Sequence, residues 1–528
     1  MEDSLYFRNM KQEASRNEKV FRWYWHMHFL LIPVFFIVHN TVDFFGLISF
    51  NELLPSFIFW LILPFATVII CYLFLRPLEK SLLLTAVLML VGFFAPLFKQ
   101  WLQGVPFLSF LGKYSVFLPV LIFGLAVFFV GLRKRMIPRF AEFLTVCFFL
   151  LILYDLFYAL RFGKEKLTKK NQLLLKDSPV LKPFDGTTDS LPDIYYLVFD
   201  AMPSSKVSRE VLNFDNRIMD QTLSEMGFKV QSDALSTADR THISIFSNLN
   251  LCYPPFPLKK KITFRELHAA VNGINNSRVV NFLVDSGYEI TNASLFPLNS
   301  NPGPYTPEEW GIRPSEYMIY NQTLWNGLRR DFSWIGLWLK GEQFVTRLNK
   351  KIRKDVGFFK KTEKLVVGSL NTEASKPRFV YAHFNLPHGP YKFRPDGSVI
   401  QWSSDSLYAE INRKEVMAEQ VAYAQKVVPL LCAKIQQATK GRAVIIVQGD
   451  HGLRGDDLKG FPSDYGFRTY SAIFFPGIQS EKLPDSIYLP NTFRILFNSY
   501  FGQSMPLLKP RTFELTYFRE EQIFWDDL

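Results

Sequence analysis

Two acidic residues and a histidine follow apolar runs in which buried strands are expected. Asp450 and His451 come directly after the run that ends at Gly449, and Asp200 ends the run "DIYYLVFD". Strands of a parallel sheet are continuous apolar runs, and open α/β sheets bind ligands beyond the carboxyl ends of their strands. Carboxylate oxygens and imidazole nitrogens suit zinc or manganese. The pattern predicts a metal site, whereas an isolated Asp-His pair is more simply a helix cap beside a hydrogen-bonded histidine.

A threonine at the start of a predicted helix is the candidate nucleophile. Thr241 opens the segment "THISIFSNLNL", whose apolar residues have helical spacing. At such a position a threonine is most often only the helix cap. The same position exposes its hydroxyl to the helix dipole and to free N–H groups, which favour an alkoxide and the anion that it attacks. A nearby divalent cation would lower the pKa of this hydroxyl further.

A histidine and three arginines are candidates for contact with the substrate. His388 stands in a proline-flanked loop beyond the predicted strand "PRFVYAHF", a place suited to substrate binding or acid/base chemistry. His383, inside that strand, is expected to pack or to form a hydrogen bond. Arg240, Arg454 and Arg468 are candidate phosphate contacts, because guanidinium pairs well with phosphate oxygens, and each could equally be a surface charge. For Arg468 we favour the interpretation of a surface charge.

Apolar residues are concentrated in the first part of the chain. The 528 residues carry a net charge of +12, and 48% of them are hydrophobic. Before residue 162 the apolar residues form long runs, and much of the positive charge flanks these runs. We find no basic stripe interleaved with stacking aromatics, so nucleic acid is not expected as a partner. The composition indicates a membrane region followed by one large domain.

The apolar runs predict about five transmembrane helices. A helix needs roughly 20 apolar residues to cross the hydrocarbon core. Basic residues precede the first run and follow the second and fourth, which places the N-terminus in the cytoplasm and the domain after the fifth run outside. Lysines just after the fifth run argue the other way, but charge before a long exported domain carries less weight. The runs are Trp25 to Phe45, Leu54 to Leu75, Leu82 to Phe98, Val116 to Leu132 and Phe143 to Leu160.

The remainder of the chain alternates between strand and helix patterns. We divide the protein into a transmembrane region (1–162), a linker (163–190) and an extracytoplasmic domain (191–528). The alternation predicts an α/β domain with a central, mostly parallel sheet flanked by helices. Cys252 and Cys432 could pair in an oxidising compartment, but the sequence does not show whether they approach each other. No role is assigned to residues 296–376.

The order of these motifs resembles the alkaline phosphatase and sulfatase superfamily. It is most similar to the membrane-anchored branch that contains lipoteichoic acid synthase and the phosphoethanolamine and phosphoglycerol transferases. The resemblance covers roughly residues 190–505, and five spans before an exported domain also match that branch. The segments that carry it are "THISIFSNLNL", "LPHGPY", "GDHG" and "LPNTFRILFNSYFG".

The resemblance implies roles for individual residues. Asp200, Thr241, Asp450 and His451 would hold one divalent metal ion, with Zn or Mn favoured, and Thr241 would also be the nucleophile. His388 would contact the substrate phosphate or protonate the leaving group. The lipid-headgroup transferases usually have Glu where this chain has the shorter Asp200. No Asp stands four residues before any His and no His follows His451, so a second metal site of the phosphatase type is not expected.

The expected function is that of a phosphotransferase in the cytoplasmic (inner) membrane, with its catalytic domain on the periplasmic side. It would move a phospholipid-derived headgroup, of phosphoethanolamine or phosphoglycerol type, to an envelope glycan or lipid through a phospho-threonine intermediate. One alternative is a phosphodiesterase or other hydrolase with the same site and water as the acceptor. The other is a non-catalytic envelope protein that keeps the fold.

Overall fold

The computed structural model describes most of the chain in two compact units. The first unit comprises residues 1–168 and 311–336, and the second comprises residues 169–310 and 337–528. Within them the structure describes residues 26–43, 50–135, 137–174, 177–186, 191–262, 264–299, 301, 303–304, 322–331, 341–371, 375–403, 414–454 and 460–517.

The first unit contains apolar helices of membrane-spanning character. Among the described residues, four segments are long and apolar enough to cross a membrane, and a fifth apolar helix is shorter. The expectation of about five spans is therefore confirmed as an approximate number; residues 25 and 44–45 at the ends of the first predicted span lie outside the described residues. The helices are α1 (His28–Asp43), α2 (Phe50–Phe74), α3 (Leu78–Gly104), α4 (Tyr114–Lys134) and α5 (Pro138–Leu174).

Aromatic side chains join these helices. Phe36 of α1 stacks on Phe93 of α3 with ring centroids 4.3 Å apart, and Trp60 of α2 packs edge-on to the same Phe93 ring. A polar contact lies in the same unit, where His39 Nδ1 is 3.1 Å from the Oδ2 atom of Asp155 on α5. Asp155 is only 5% exposed, and the sequence interpretation did not single it out.

The second unit is built on a six-stranded sheet in the order β2-β7-β6-β1-β5-β4. Strands β4, β5, β1 and β6 are mutually parallel, and β7 runs antiparallel to both β6 and β2. The expected α/β class with a mostly parallel sheet is confirmed. The strands are β1 (Ile194–Phe199), β2 (Lys229–Leu235), β4 (Glu289–Ala293), β5 (Arg378–Phe384), β6 (Val444–Gly449) and β7 (Arg468–Phe474); β3 (Lys259–Ile262) pairs with β8 (Glu514–Tyr517) in a separate two-stranded sheet.

Helices cover both faces of the large sheet because both faces are apolar. Alternate residues of β1 enter two separate cores: Tyr195, Leu197 and Phe199 enter one, whereas Tyr196 and Val198 enter the other. This explains why β1 is an uninterrupted apolar run. The helices of this unit are α6 (Ser205–Leu212), α7 (Arg217–Glu225), α8 (Thr241–Asn250), α9 (Phe264–Asn275), α10 (Arg278–Asp285), α12 (Gly341–Leu370), α13 (Lys414–Thr439) and α14 (Thr492–Tyr500).

Three details differ from or extend the sequence interpretation. Helix α5 continues to Leu174, so the first part of the predicted linker is helical. The stretch 296–376, to which no role was assigned, contains α12 and a short helix, α11 (Leu324–Asp331), and α11 belongs to the first unit. Cys252 and Cys432 are both free and buried, and they lie in the two different cores of the sheet, so they do not pair.

Candidate metal centre

Sheet register brings the two predicted acidic ligands together. Phe199, the last residue of β1, is paired with Phe384 at the end of β5 and with Gly449 at the end of β6. The next residue along β1 is Asp200, and the next along β6 is Asp450. Since three parallel strands end at the same level, both carboxylates lie at one edge of the sheet, as expected for a ligand site in an open α/β sheet.

Two glycines allow the chain around Asp450 to pack closely. A Cβ atom on Gly449 would collide with the Thr469 hydroxyl and would lie 2.6 Å from the main-chain oxygen of Met202. A Cβ on Gly452 would lie 2.5 Å from the main-chain oxygens of Arg468 and Tyr465. The Asp-His pair is therefore flanked by positions that have no room for a side chain, which holds its backbone in place.

The Asp450 carboxylate is oriented by main-chain donors. Its Oδ1 atom accepts hydrogen bonds from the N–H groups of Ala201 and His451, both at 2.9 Å. Its Oδ2 atom is buried and has no hydrogen-bond partner among the described residues. One oxygen is thus fixed by the backbone, which leaves the other directed toward Asp200 and His451.

The His451 ring presents a lone pair to the same point. Its Nδ1 atom lies 2.7 Å from the main-chain oxygen of Gly452. A carbonyl oxygen can only accept, so Nδ1 carries a proton, and in the neutral ring the lone pair is then on Nε2. That Nε2 atom is 3.5 Å from Asp200 Oδ1 and 3.6 Å from Asp450 Oδ2. A histidine that donates through one nitrogen to a carbonyl is typically oriented to bind metal through the other.

The three side chains fit a divalent metal ion. Among the described residues, Asp200, Asp450 and His451 form a group in which each offers one ligand atom, and these atoms lie within 4.8 Å of one another. Asp200 Oδ1, Asp450 Oδ2 and His451 Nε2 are all buried without hydrogen-bond partners in the described segments. Ligands about 2.1 Å from a tetrahedral ion stand roughly 3.4 Å apart, close to the distances found here. Two carboxylate oxygens with one imidazole nitrogen suit zinc or manganese.

Histidine side chains also control the charge of Asp200. Burial acts to raise the pKa of the Asp200 carboxyl, but the charge that His388 carries in the acidic range where a carboxyl titrates, together with the neighbouring His383, outweighs burial and holds that pKa well below its usual range. The carboxylate is therefore ionised, as a metal ligand must be.

His383 lies closer to this centre than its strand position suggested. Its Nε2 atom is 3.9 Å from Asp200 Oδ2, and its Nδ1 atom is 3.1 Å from the Tyr381 hydroxyl. The ring is fully buried, and Nε2 has no hydrogen-bond partner in the described part of the chain. The hydrogen bond expected from the sequence is present, but the sequence analysis did not predict that His383 lies near Asp200. The signal was the position of His383, one residue before the end of a strand that pairs with β1.

Thr241 stands at the first position of α8 and is not the cap of that helix. The N-cap residue is Arg240, and its side chain makes no capping hydrogen bond. One turn further, the Ser244 hydroxyl donates to the main-chain oxygen of Asp450 at 2.5 Å. Residues three apart share a helix face, so the face of α8 that carries Thr241 is bonded to the strand end that carries two of the predicted ligands.

His388 is held from several directions. Its N–H donates to the main-chain oxygen of Asp200 at 3.1 Å, and its Nδ1 donates to the main-chain oxygen of Gly389 at 2.6 Å. Its Nε2 accepts from Arg454 Nη2 at 3.0 Å. Burial lowers the pKa of His388, Asp200 opposes this shift, and Arg454 adds to it, with a net lowering. The ring is therefore neutral near pH 7, with its Nε2 lone pair facing the arginine.

A buried lysine supports the His388 loop from behind. Lys392 is fully buried, and its ammonium donates to the main-chain oxygens of Asn385 and His388, the latter at 2.9 Å. Burial lowers the pKa of Lys392 to about 8, although the carboxylates of Asp355 and Asp200 oppose that shift. One side chain thus ties together both ends of the segment from Asn385 to His388. The sequence interpretation did not single out Lys392.

The other two arginines are engaged elsewhere. Arg240 Nε lies 3.3 Å from the main-chain oxygen of Leu515, and Arg468 pairs with Asp464 and Asp233. The third arginine considered from the sequence, Arg454, donates a hydrogen bond to His388.

Some solved structures are similar to this chain. No family model matches the sequence, and no curated protein matches it. These structures include the lipoteichoic acid synthase LtaP from Listeria monocytogenes, with 12% identity, a TM-score of 0.35, and coverage of 64% of this chain and 79% of that chain. They also include the periplasmic domain of phosphoethanolamine transferase EptC from Campylobacter jejuni, with 11% identity, a TM-score of 0.33, and coverage of 61% and 92%.

A 2-O GAG sulfatase is also similar, with 14% identity, a TM-score of 0.34, and coverage of 61% of this chain and 73% of that chain. Because the identities and TM-scores are low, function has to be argued from the side chains of the site.

Proposed function

We propose that this protein is a metal-dependent phosphotransferase of the membrane that acts on the headgroup phosphodiester of a phospholipid. The observation that supports this most strongly is the convergence of three buried ligand atoms, from Asp200, Asp450 and His451, with no hydrogen-bond partners in the described chain. Isolated buried polar atoms are costly. A cation accounts for all three at once, and its ligands are oxygen and nitrogen atoms that suit zinc or manganese.

The chain's own residues divide the work of a double displacement. Asp200, Asp450 and His451 would hold the ion, and Thr241 would complete its ligands. When bound, the ion would supply Lewis-acid stabilisation of the negative charge that develops on the phosphate oxygens. Thr241 sits at the first position of α8, where free N–H groups and the helix dipole favour negative charge.

The first displacement forms a bond between Thr241 Oγ1 and phosphorus. The bond from phosphorus to the diacylglycerol oxygen breaks, and that oxygen leaves with a proton as the Thr241 hydroxyl gives one up. The second displacement reverses the roles: an acceptor hydroxyl loses its proton and attacks phosphorus, and Thr241 is released. A phospho-threonine therefore links the two half-reactions, and one site serves donor and acceptor in turn.

We assign proton transfer and phosphate contact to His388 and Arg454. The neutral His388 ring has a lone pair on Nε2 that faces the Arg454 guanidinium at 3.0 Å. A neutral imidazole can take the proton of an acceptor hydroxyl, and a guanidinium released from the ring pairs well with a phosphate oxygen. Lys392 and the backbone of Asp200 hold the loop that carries this histidine.

The acceptor is an envelope glycan or lipid in this proposal, and the active domain faces the extracytoplasmic side of the cytoplasmic membrane. Basic residues around the apolar runs support that orientation. The donor headgroup would be of phosphoethanolamine or phosphoglycerol type. With water as the acceptor, the same site would act as a hydrolase.

The decisive experiment measures metal and product together. The purified full-length chain, with each phospholipid offered in turn, should release diacylglycerol in a chelator-sensitive way and should contain a stoichiometric divalent metal. Asp450→Asn should lose both properties. Asp220→Asn is the control and should keep them, because Asp220 is a partly buried acid that is bonded to Ser205 and Tyr470 and is not one of the candidate ligands. Adding candidate glycans distinguishes transfer from hydrolysis. A wild-type protein without bound metal and without turnover would support the non-catalytic alternative.

A further inference from the structure

The short helix α11 comes from the chain that connects β4 to β5, yet it folds with the membrane-spanning helices. Residues 311–336 group with the first unit, and the described part of this segment is 322–331. Leu324 packs on a small apolar cluster formed by Ala95 and Leu102 of α3 and Phe117 of α4. Gly327 lies close to Tyr114 of α4: a Cβ atom on this glycine would be 3.2 Å from the Tyr114 hydroxyl.

The end of α3 that α11 contacts has the composition of a membrane–water interface. The Lys99 ammonium lies 3.9 Å from the centroid of the Tyr114 ring. Phe98 stacks on Trp101 at 5.7 Å, and both rings are more than half exposed. Lysine and large aromatic residues at the end of an apolar helix mark the headgroup level of a bilayer. This end of the membrane-spanning helix is therefore the place where hydrocarbon gives way to headgroups.

Trp325 is the outward-facing aromatic residue of α11. Its neighbour Leu324 packs on the apolar cluster, and Gly327 is buried, whereas Trp325 is 67% exposed. A helix packed on α3 at headgroup level presents an exposed indole at that same level. Trp is the residue type most suited to this layer, because its ring is apolar and its N–H remains polar.

We propose that α11 lies in the membrane–water interface and that Trp325 inserts its ring into the headgroup layer. The occupant of this surface is the bilayer, since the end of α3 on which α11 packs also carries the exposed rings of Phe98 and Trp101. The segment between β4 and β5 would then contact the membrane, in addition to the apolar helix α5 that precedes β1. This inference does not depend on the proposed reaction.

Quenching of tryptophan fluorescence by brominated lipids tests the proposal. The full-length protein, Trp325→Phe and Trp402→Phe are reconstituted in phosphatidylcholine vesicles carrying bromine either near the headgroups or near the chain ends. Subtracting the emission of Trp325→Phe from that of the wild type gives the contribution of Trp325. This contribution should be quenched mostly by the shallow bromines and much less by the deep ones. The emission lost in Trp402→Phe should be quenched by neither, because Trp402 is buried in the second unit.

Three results would overturn the proposal. If the Trp325 emission were quenched by iodide in the buffer and not by brominated lipid, the helix would lie in water. If it were shielded from both, the surface would be covered by protein, for example by a second copy of the chain. If the deep bromines quenched it best, the helix would be embedded and not interfacial. Phe keeps an aromatic ring at position 325, and a single elution peak shared with the wild type checks the fold.

Discussion

The Ser244 hydroxyl donates a hydrogen bond of 2.5 Å to the main-chain oxygen of Asp450. This bond joins the first turn of α8 to the first residue after β6. Thr241 opens that turn, and Asp450 and His451 are two of the three candidate metal ligands. The bond therefore links the helix of the proposed nucleophile directly to the strand end that carries two of the candidate ligands.

Removing this bond should reduce activity and leave the metal in place. In Ser244→Ala we expect kcat to fall by about 10- to 100-fold, because small displacements of a reacting group are costly. The metal content should stay unchanged, since none of the three candidate ligands is altered. Ser247→Ala is the matched control: Ser247 is buried on the same helix, and its hydroxyl has no hydrogen-bond partner among the described residues. Equal effects of the two substitutions would contradict the positioning role of Ser244.

The nucleophile itself should be sensitive to loss of its oxygen. Thr241→Ala should lower the release of diacylglycerol by at least about 1000-fold, as expected when a nucleophile is removed. Thr241→Ser keeps an oxygen at the same position and should retain measurable turnover. Mass spectrometry of protein quenched during turnover should find phosphate on residue 241 in the wild type and none in the alanine variant. Substantial turnover by Thr241→Ala would rule out the covalent route.

Arg454 should set the acidic limit of activity through His388. The guanidinium lowers the pKa of His388, so replacing it in Arg454→Gln should raise that pKa. If the neutral ring is the active form, activity is present above this pKa and is lost as the pH falls through it. The acidic limb of the kcat profile should then move to higher pH in the variant. If the acidic limb of the variant moved to lower pH, or if activity were lost on the alkaline side and not on the acidic side, His388 would act in its protonated form.

Lys392 should affect both the site and the pH dependence of stability. Lys392→Met leaves the main-chain oxygens of Asn385 and His388 without their buried donor, so turnover should fall by about 10-fold or more while metal content is kept. Lys434→Met, at an exposed position on α13, is the control. Unchanged turnover in Lys392→Met would show that the loop keeps its shape without the ammonium.

The sign of the stability effect follows from the lowered pKa of this lysine. The folded chain holds the Lys392 pKa at about 8, below the ordinary value of 10.5, so the unfolded chain binds more protons between these two values. Stability should therefore rise with pH over that interval, by at most about 3 kcal/mol from this group. Thermal unfolding of the full-length protein between pH 7.5 and about 10 measures the rise, which Lys392→Met should lack.

Much of the fold and part of the site could be predicted from the sequence because local patterns report burial. The apolar runs of β1 and β6 showed strands covered on both faces, and the acids directly after them marked one edge of a sheet. Likewise, the long apolar runs before residue 162 predicted membrane-spanning helices, because a helix satisfies its backbone hydrogen bonds within the segment. These features depend on neighbours in the chain, so they are visible without coordinates.

The tertiary structure decided which of these elements meet. Only the pairing of β1 with both β5 and β6 places Asp200 beside Asp450 and brings His383 within 3.9 Å of Asp200. Only packing shows that Lys392 is a buried donor, that Asp155 faces His39, and that α11 folds with the membrane helices. The partners of a buried charge lie far away in the chain, and burial patterns along a sequence carry no record of which distant residue supplies them.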